Sequence, residues 1–204
     1  MHTNEAAMGF VNPRDLPFAP IRSRGELPHL FKEGCIYFVT FRLYDAVIPR
    51  ARREPISIDD SWEEIAALSE PPLTLGSCVL RKPEAAQIVQ DALLYFQGIR
   101  YFLGAWCVMP NHVHTVFAPA AGMNLSKITH SWKSFTGNQI NELLRREGAF
   151  WERESFDHLI RSEDEIIRLV EYVENNPVAA GLCQTPEQWV FSSAYPGNRQ
   201  KLLR

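Results

Sequence analysis

Residues 100–118 read RYFLGAWCVMPNHVHTVFA, two runs of aromatic and β-branched residues parted by Pro110-Asn111. Side chains alternate faces along a strand, and Pro-Asn suits a turn. The stretch therefore predicts a hairpin with strands over 100–109 and 112–118. In the second strand His112 and His114 fall on one face, and Val113, Thr115 and Phe117 on the other. Two imidazoles at alternate positions of a rigid strand are preset for one divalent cation. On its own the pair does not separate a metal site from two packed histidines, and zinc chemistry with a third histidine such as His158 competes with both.

Working outward, residues 35–43 (CIYFVTFRL) form a third strand, suited to the middle of a sheet. Pro83 at a first-turn position, followed by Ala85, Ala86, Val89, Ala92, Leu93 and Phe96, predicts an amphipathic helix that ends near Gly98. Behind the N-cap Asn124, the residues Leu125, Ile128, Trp132, Phe135, either Gln139 or Ile140, and Leu143 predict another, stopped by Gly148. Ser162 and Glu165 form a capping box ahead of a helix with a stripe of Ile166, Ile167, Val170 and Val173, and Pro177 stops it. This order predicts an α+β protein, an antiparallel sheet with helices packed against it.

A chain of 204 residues with 46% hydrophobic content can bury one core. The Pro-, Gly- and Arg-rich first 30 residues read as an irregular arm, 31–195 as one domain with an insertion over 49–77, and 196–204 as a basic tail. In the insertion, Asp60 to Glu63 reads as a capping box. No stretch reaches the roughly 18 apolar residues of a membrane span, so a soluble, cytoplasmic protein is expected, with no membrane partner. The four cysteines lack metal-clip spacing and read as thiols packed like small hydrophobes. A net charge of −3 argues against a protein that coats nucleic acid by bulk electrostatics. It leaves room for a local basic groove, since Arg22 and Arg24, Arg50, Arg52 and Arg53, and Arg145 and Arg146 are clustered.

Among six tyrosines, Tyr172 is the candidate nucleophile and Tyr195 the reserve. At about 100° per residue Tyr172 lies roughly 150° from the middle of its helix's apolar stripe. Asn176, one turn on, places an amide oxygen on nearly the same face, beside a phenol able to act as a nucleophile.

Met109-Pro110-Asn111-His112-Val113-His114, Trp132-Lys133-Ser134-Phe135-Thr136 with Ile140-Asn141, Phe150-Trp151-Glu152-Arg153, Phe156-Asp157-His158, Ile160-Arg161, and Tyr172 with Asn175-Asn176-Pro177-Val178 and Ala180-Gly181-Leu182 follow one another in an order that resembles the REP-associated tyrosine transposases. The likeness runs from about Cys35 to Ser193 and is weakest across 49–77. It implies a ferredoxin-like or RRM-like antiparallel sheet with helices on one face and the HUH motif on a central strand. It implies His112, His114 and Asn176 as metal ligands, Tyr172 as the nucleophile, Mg²⁺ or Mn²⁺ as the cofactor, and Arg153, His158 and Arg161 as DNA contacts. The implied activity is single-stranded DNA cleavage and strand transfer next to palindromic hairpins through a 5′-phosphotyrosyl link. The alternative is a module that binds hairpin or single-stranded nucleic acid without cutting it. Monomer and homodimer are both compatible with the sequence.

Overall fold

The computed structural model describes Arg22–Ser23, Pro28–His29, and residues 34–46 and 71–202. Most of the N-terminal arm, and the capping box at Asp60 with most of the 49–77 segment, lie outside the described residues. The two short strands β1 (Arg22–Ser23) and β2 (Pro28–His29) pair antiparallel with each other.

The main sheet holds β3 (Tyr37–Arg42), β4 (Tyr101–Val108), β5 (His112–Pro119) and β6 (Phe156–Leu159) in the order β4-β5-β3-β6, with every neighbour antiparallel. Helix α1 (Pro83–Tyr95) links β3 to β4, and α2 (Leu125–Leu143) links β5 to β6. This βαββαβ succession with β3 and β5 at the centre is the ferredoxin-like arrangement. Residues 35–43 and the hairpin form the expected strands. Phe156–Leu159 was not expected as a strand, because four residues give too short a run for alternation to be read.

Both faces of the sheet are covered, which is why β3 and β5 are buried along their whole length. On one face Tyr37, Val39, Phe41, Val113 and Phe117 pack with Val89 and Leu93 of α1 and Ile128 and Trp132 of α2. On the other, Phe38, Val116 and Phe156 pack with Leu169 and Val173 of α3 (Glu163–Ala179). The expectation of helices on one face thus holds for α1 and α2 of the βαββαβ unit. The third helix, which follows β6, crosses to the face that carries the histidines. A β-bulge between Leu103 and Ala105 shifts the phase of β4, so that Tyr101 and Leu103 share a cluster with Trp106 and Val108, and Ala105 and Cys107 turn to the α3 face.

Helix ends differ from expectation in three places, each for a local reason. Helix α1 closes at Tyr95, ahead of Gly98, whose φ of 73° serves the tight turn into β4. Helix α2 closes at Leu143, where Arg145 adopts φ 51°, three residues before Gly148. Its buried seam takes Thr136 in place of Phe135, since the Thr136 hydroxyl accepts a bond from Trp151 Nε1 at 2.9 Å. Helix α3 runs through Pro177 to Ala179, because the amide that proline lacks is missed only in the last turn and Gly181 (φ 69°) then closes the end.

Residues 191–193 lie against the β4 edge, where Val108 N–H donates to Phe191 O and Ser193 N–H to Trp106 O, both at 2.9 Å. Helix α4 (Pro196–Leu202) is locked there by Asn198, whose side-chain amide donates to Gln90, Val190 and Ser192. No helix of the described residues is long and apolar enough to cross a membrane.

Candidate active site

Alternation along β5 puts His112 and His114 on the α3 face, and both are buried, at 1% and 0% exposure. Their Nε2 atoms stand 3.0 Å apart. Each ring is held from behind through Nδ1: His112 by Asn111 Oδ1 at 2.8 Å, and His114 by Thr40 Oγ1 at 2.7 Å. The Asn111 amide nitrogen donates to Pro72 O and Leu75 O, both at 3.0 Å. This fixes which end of the amide faces His112, because only the oxygen remains for it. An amide oxygen can only accept, so His112 carries its proton on Nδ1 and presents a lone pair at Nε2. The Phe38 ring stacks on His114 with centroids 5.5 Å apart.

Burial keeps the pair neutral. Desolvation, then the neighbouring His114 and Arg42, hold His112 well below the usual imidazole range. Desolvation brings His114 down to about 3. Neutral imidazole is the form that binds metals. Two nitrogens 3.0 Å apart also have the separation of neighbouring corners of an octahedron with bonds of about 2.1 Å. The donor set therefore fits a divalent cation. Among the described residues no group of three His, Cys, Asp or Glu side chains could hold a metal, so the third histidine of the zinc reading is not brought in.

Tyr172 lies over the same face. Its ring stands 5.5 Å from that of His114 and 6.0 Å from that of Phe38, edge-on to both. Its hydroxyl is buried, as is Oδ1 of Asn176 one turn later. Here the structure corrects the helix phase read from sequence. Leu169, Val173, Asn176 and Pro177 form the buried seam, and Ile167 is 57% exposed. Tyr172 therefore flanks the core side of α3 and packs into it, in place of standing roughly opposite. The stripe drawn through Ile167 left out Leu169, which sets the true direction.

The three residues expected to touch DNA are not equivalent. Arg153 is exposed and Arg161 half-buried. His158 is buried at 5%, and its Nε2 lies 2.7 Å from Glu165 Oε1, so the imidazole is committed within the protein and is not displayed to a ligand. The other Glu165 oxygen accepts the Arg161 N–H at 2.6 Å. The capping box is consequently half made: Ser162 Oγ accepts from Glu165 N–H at 3.2 Å, and the Glu165 carboxylate turns to β6. Tyr195, the reserve, lies in the turn before α4 and is 37% exposed.

Sequence reasoning missed Asn111, taken only as a turn residue, and Arg42. Arg42 is 7% exposed and pairs across from His112, on the face shared with Thr40 and Phe38. Its Nε bonds Glu152, and its Nη1 is buried with no hydrogen-bond partner among the described residues. A cation at the inward phase of an otherwise uncharged central strand was the signal available.

Residues 85–176 match the transposase family described as IS200-like, a segment that contains the histidine pair, Tyr172 and Asn176. A Haemophilus influenzae protein described as a REP-associated tyrosine transposase is 27% identical over 99 residues, which span 44% of this chain. They span 56% of that relative, so the chain matches little more than half of its length. The solved structure of a REP-associated tyrosine transposase bound to a REP hairpin superposes with a TM-score of 0.58 over 87% of each chain, at 16% identity, a likeness of fold. By sequence over residues 85–176 and by fold along most of its length, the chain is similar to the IS200-like and REP-associated tyrosine transposases, as its motifs led us to expect.

Proposed function

We propose that this chain is a metal-dependent single-stranded DNA endonuclease and strand transferase that acts beside palindromic hairpins through Tyr172. One observation carries the reading: a tyrosine ring lies 5.5 Å from the ring of a histidine whose Nε2 stands 3.0 Å from that of a second. The phenol oxygen of Tyr172 forms a bond to a DNA phosphorus while the bond from that phosphorus to the 3′-oxygen breaks. The phenolic proton is lost to solvent, and the departing oxygen leaves as a 3′-hydroxyl once protonated. A 3′-hydroxyl from a second strand reverses the exchange and releases the tyrosine, so no nucleotide cofactor is needed. His112, His114 and Asn176 would hold Mg²⁺ or Mn²⁺, which when bound supplies positive charge to a non-bridging phosphate oxygen. Asn111 and Thr40 keep the imidazoles aimed. Packing of the Tyr172 ring on Phe38 holds the nucleophile in place. The hairpin partner is inferred from the similar transposase whose structure contains a REP hairpin.

The test is covalent capture. Full-length protein incubated with single-stranded DNA bearing hairpins from the flanks of its gene should give a protein-DNA adduct that survives denaturation. Tyr172→Phe keeps the ring packing and should give none while still binding DNA. His112→Ala, His114→Ala or a chelator should slow adduct formation by at least about a hundredfold, the scale of lost electrostatic stabilisation. An adduct formed by Tyr172→Phe at the native rate would refute the assignment. DNA binding with no adduct under any metal would favour the non-cleaving module.

A further inference from the structure

We propose that Arg42 is a phosphate-gripping residue of this site, its Nη1 taking a non-bridging oxygen of a DNA phosphodiester beside His112; the inference rests on the reading of that face as the cleavage site. A guanidinium stays charged at every ordinary pH, so burying it demands a partner for its charge and for its donors. Glu152 answers the charge and bonds Nε. It is brought there by the backbone, with Glu152 N–H donating to Arg42 O at 2.9 Å and Leu43 bridging to Trp151. Nη1 is left buried and without a partner among the described residues, on a side chain more than nine-tenths buried. A pair serving only to tie β3 to residues 150–152 has no use for that donor.

Register places the group. Arg42 and His112 are directly opposite in the antiparallel pair, so their side chains are neighbours on one face, and Thr40 and His114 are the next such pair. A fixed positive charge next to a cation site is repulsive unless an anion lies between them. A phosphate oxygen shared by the guanidinium on one side and the histidine pair's cation on the other removes the conflict and satisfies the orphaned donor. Arginine suits the task, since its planar fork can bond a carboxylate and a phosphate at once. The order along this face, from Arg42 past His112 and His114 to Tyr172, would then run from phosphate grip to nucleophile.

The experiment uses the full chain without added metal. Inorganic phosphate is titrated against chloride at constant ionic strength, with binding read from the side-chain NMR signals of arginine and from the rise in Tm. Arg42→Lys keeps a positive charge for Glu152 but has no second arm, and should weaken phosphate binding roughly tenfold or more, the loss expected for one hydrogen bond to a charged group. Glu152→Gln should bind phosphate at least as tightly as the native chain. A purely structural pair predicts equal damage from both substitutions, and that result, or native phosphate affinity in Arg42→Lys, would overturn the proposal. A second arm measures adduct formation with single-stranded DNA, where Arg42→Lys should lower the rate and a native rate would refute the role. The phosphate arm needs neither Tyr172 nor a cation, so it can succeed where the tyrosine reading fails. Conversely, a native-rate adduct in Arg42→Lys would leave that reading standing and remove only this one.

Discussion

Asn111 shows how much one side chain can decide. Its amide nitrogen is bound by the Pro72 and Leu75 carbonyls, and its oxygen by His112 Nδ1, so the tautomer of His112 is set by a residue that would not itself touch the cation. Groups that fix the far nitrogen of a metal-binding histidine typically matter by about 10–100-fold in metal affinity. Asn111→Ala should therefore weaken Mn²⁺ binding by about that factor, measured by titration calorimetry, while Asn111→Asp keeps an acceptor and should lose less. Equal affinity in Asn111→Ala and native protein would show that the tautomer is set elsewhere. Lys133 has a structural role of the same kind. Its ammonium donates to Arg153 O, Glu154 O and Ser155 Oγ, and burial, opposed by Glu152 and Glu154, lowers it to about 8. One lysine thus pins the segment that leads into β6.

Elements carry the geometry because α3 must be set at the right height over the sheet for Tyr172 to meet His114. Two contacts near its start do this, Ser162 as N-cap and the Glu165 carboxylate reaching His158 on β6. Burial alone would raise the Glu165 pKa, but the bonds from His158 and from the Arg161 N–H outweigh it and hold the group below the usual carboxylate range. A carboxylate depressed in the folded state contributes stability that is present above its unfolded pKa and lost as pH falls through the folded one. Glu165→Gln should cost about 1–3 kcal/mol at neutral pH in urea unfolding, and the native chain should lose this advantage progressively below about pH 4. If the two proteins kept the same difference from pH 7 to pH 3, the carboxylate would not be the stabilising group. At the far end, Glu174 of α3 accepts from Ser193 Oγ at 2.9 Å and from Arg199 at 3.3 Å, so the chain's last turns brace the same helix.

For the whole molecule, net charge limits how DNA could be chosen under the proposed function. An acidic chain offers little uniform attraction to phosphates, so affinity should depend on a folded hairpin with single-stranded flanks whose unstacked bases can be read. Arg153 is exposed at the end of the segment pinned by Lys133, a position suited to a backbone phosphate. Arg153→Ala should weaken binding to cognate and scrambled hairpins alike and reduce the salt slope by about 1. Salt titrations on both hairpins and on plain duplex measure this. Equal affinity of the native chain for all three at moderate salt would contradict a site-selective nuclease.

The sequence alone was enough for the hairpin, the central strand at 35–43, the starts of all three long helices and the two-histidine face, because alternation and N-caps are local properties that survive any packing. Its motif succession also pointed to the transposases it resembles. Tertiary structure decided which side of the sheet α3 would cover, and with it that Tyr172 and the histidines meet, since the phase of that helix depends on Leu169 finding the α3 face of the sheet. It decided that His158 turns inward, because only the packed chain brings Glu165 beside it. It exposed Arg42 and Asn111, whose meaning lies in partners 110 and 36–39 residues away in the chain. The partners in contacts of that range leave no periodic trace in a single sequence, because they are set by how the strands pair and not by the residues adjoining them.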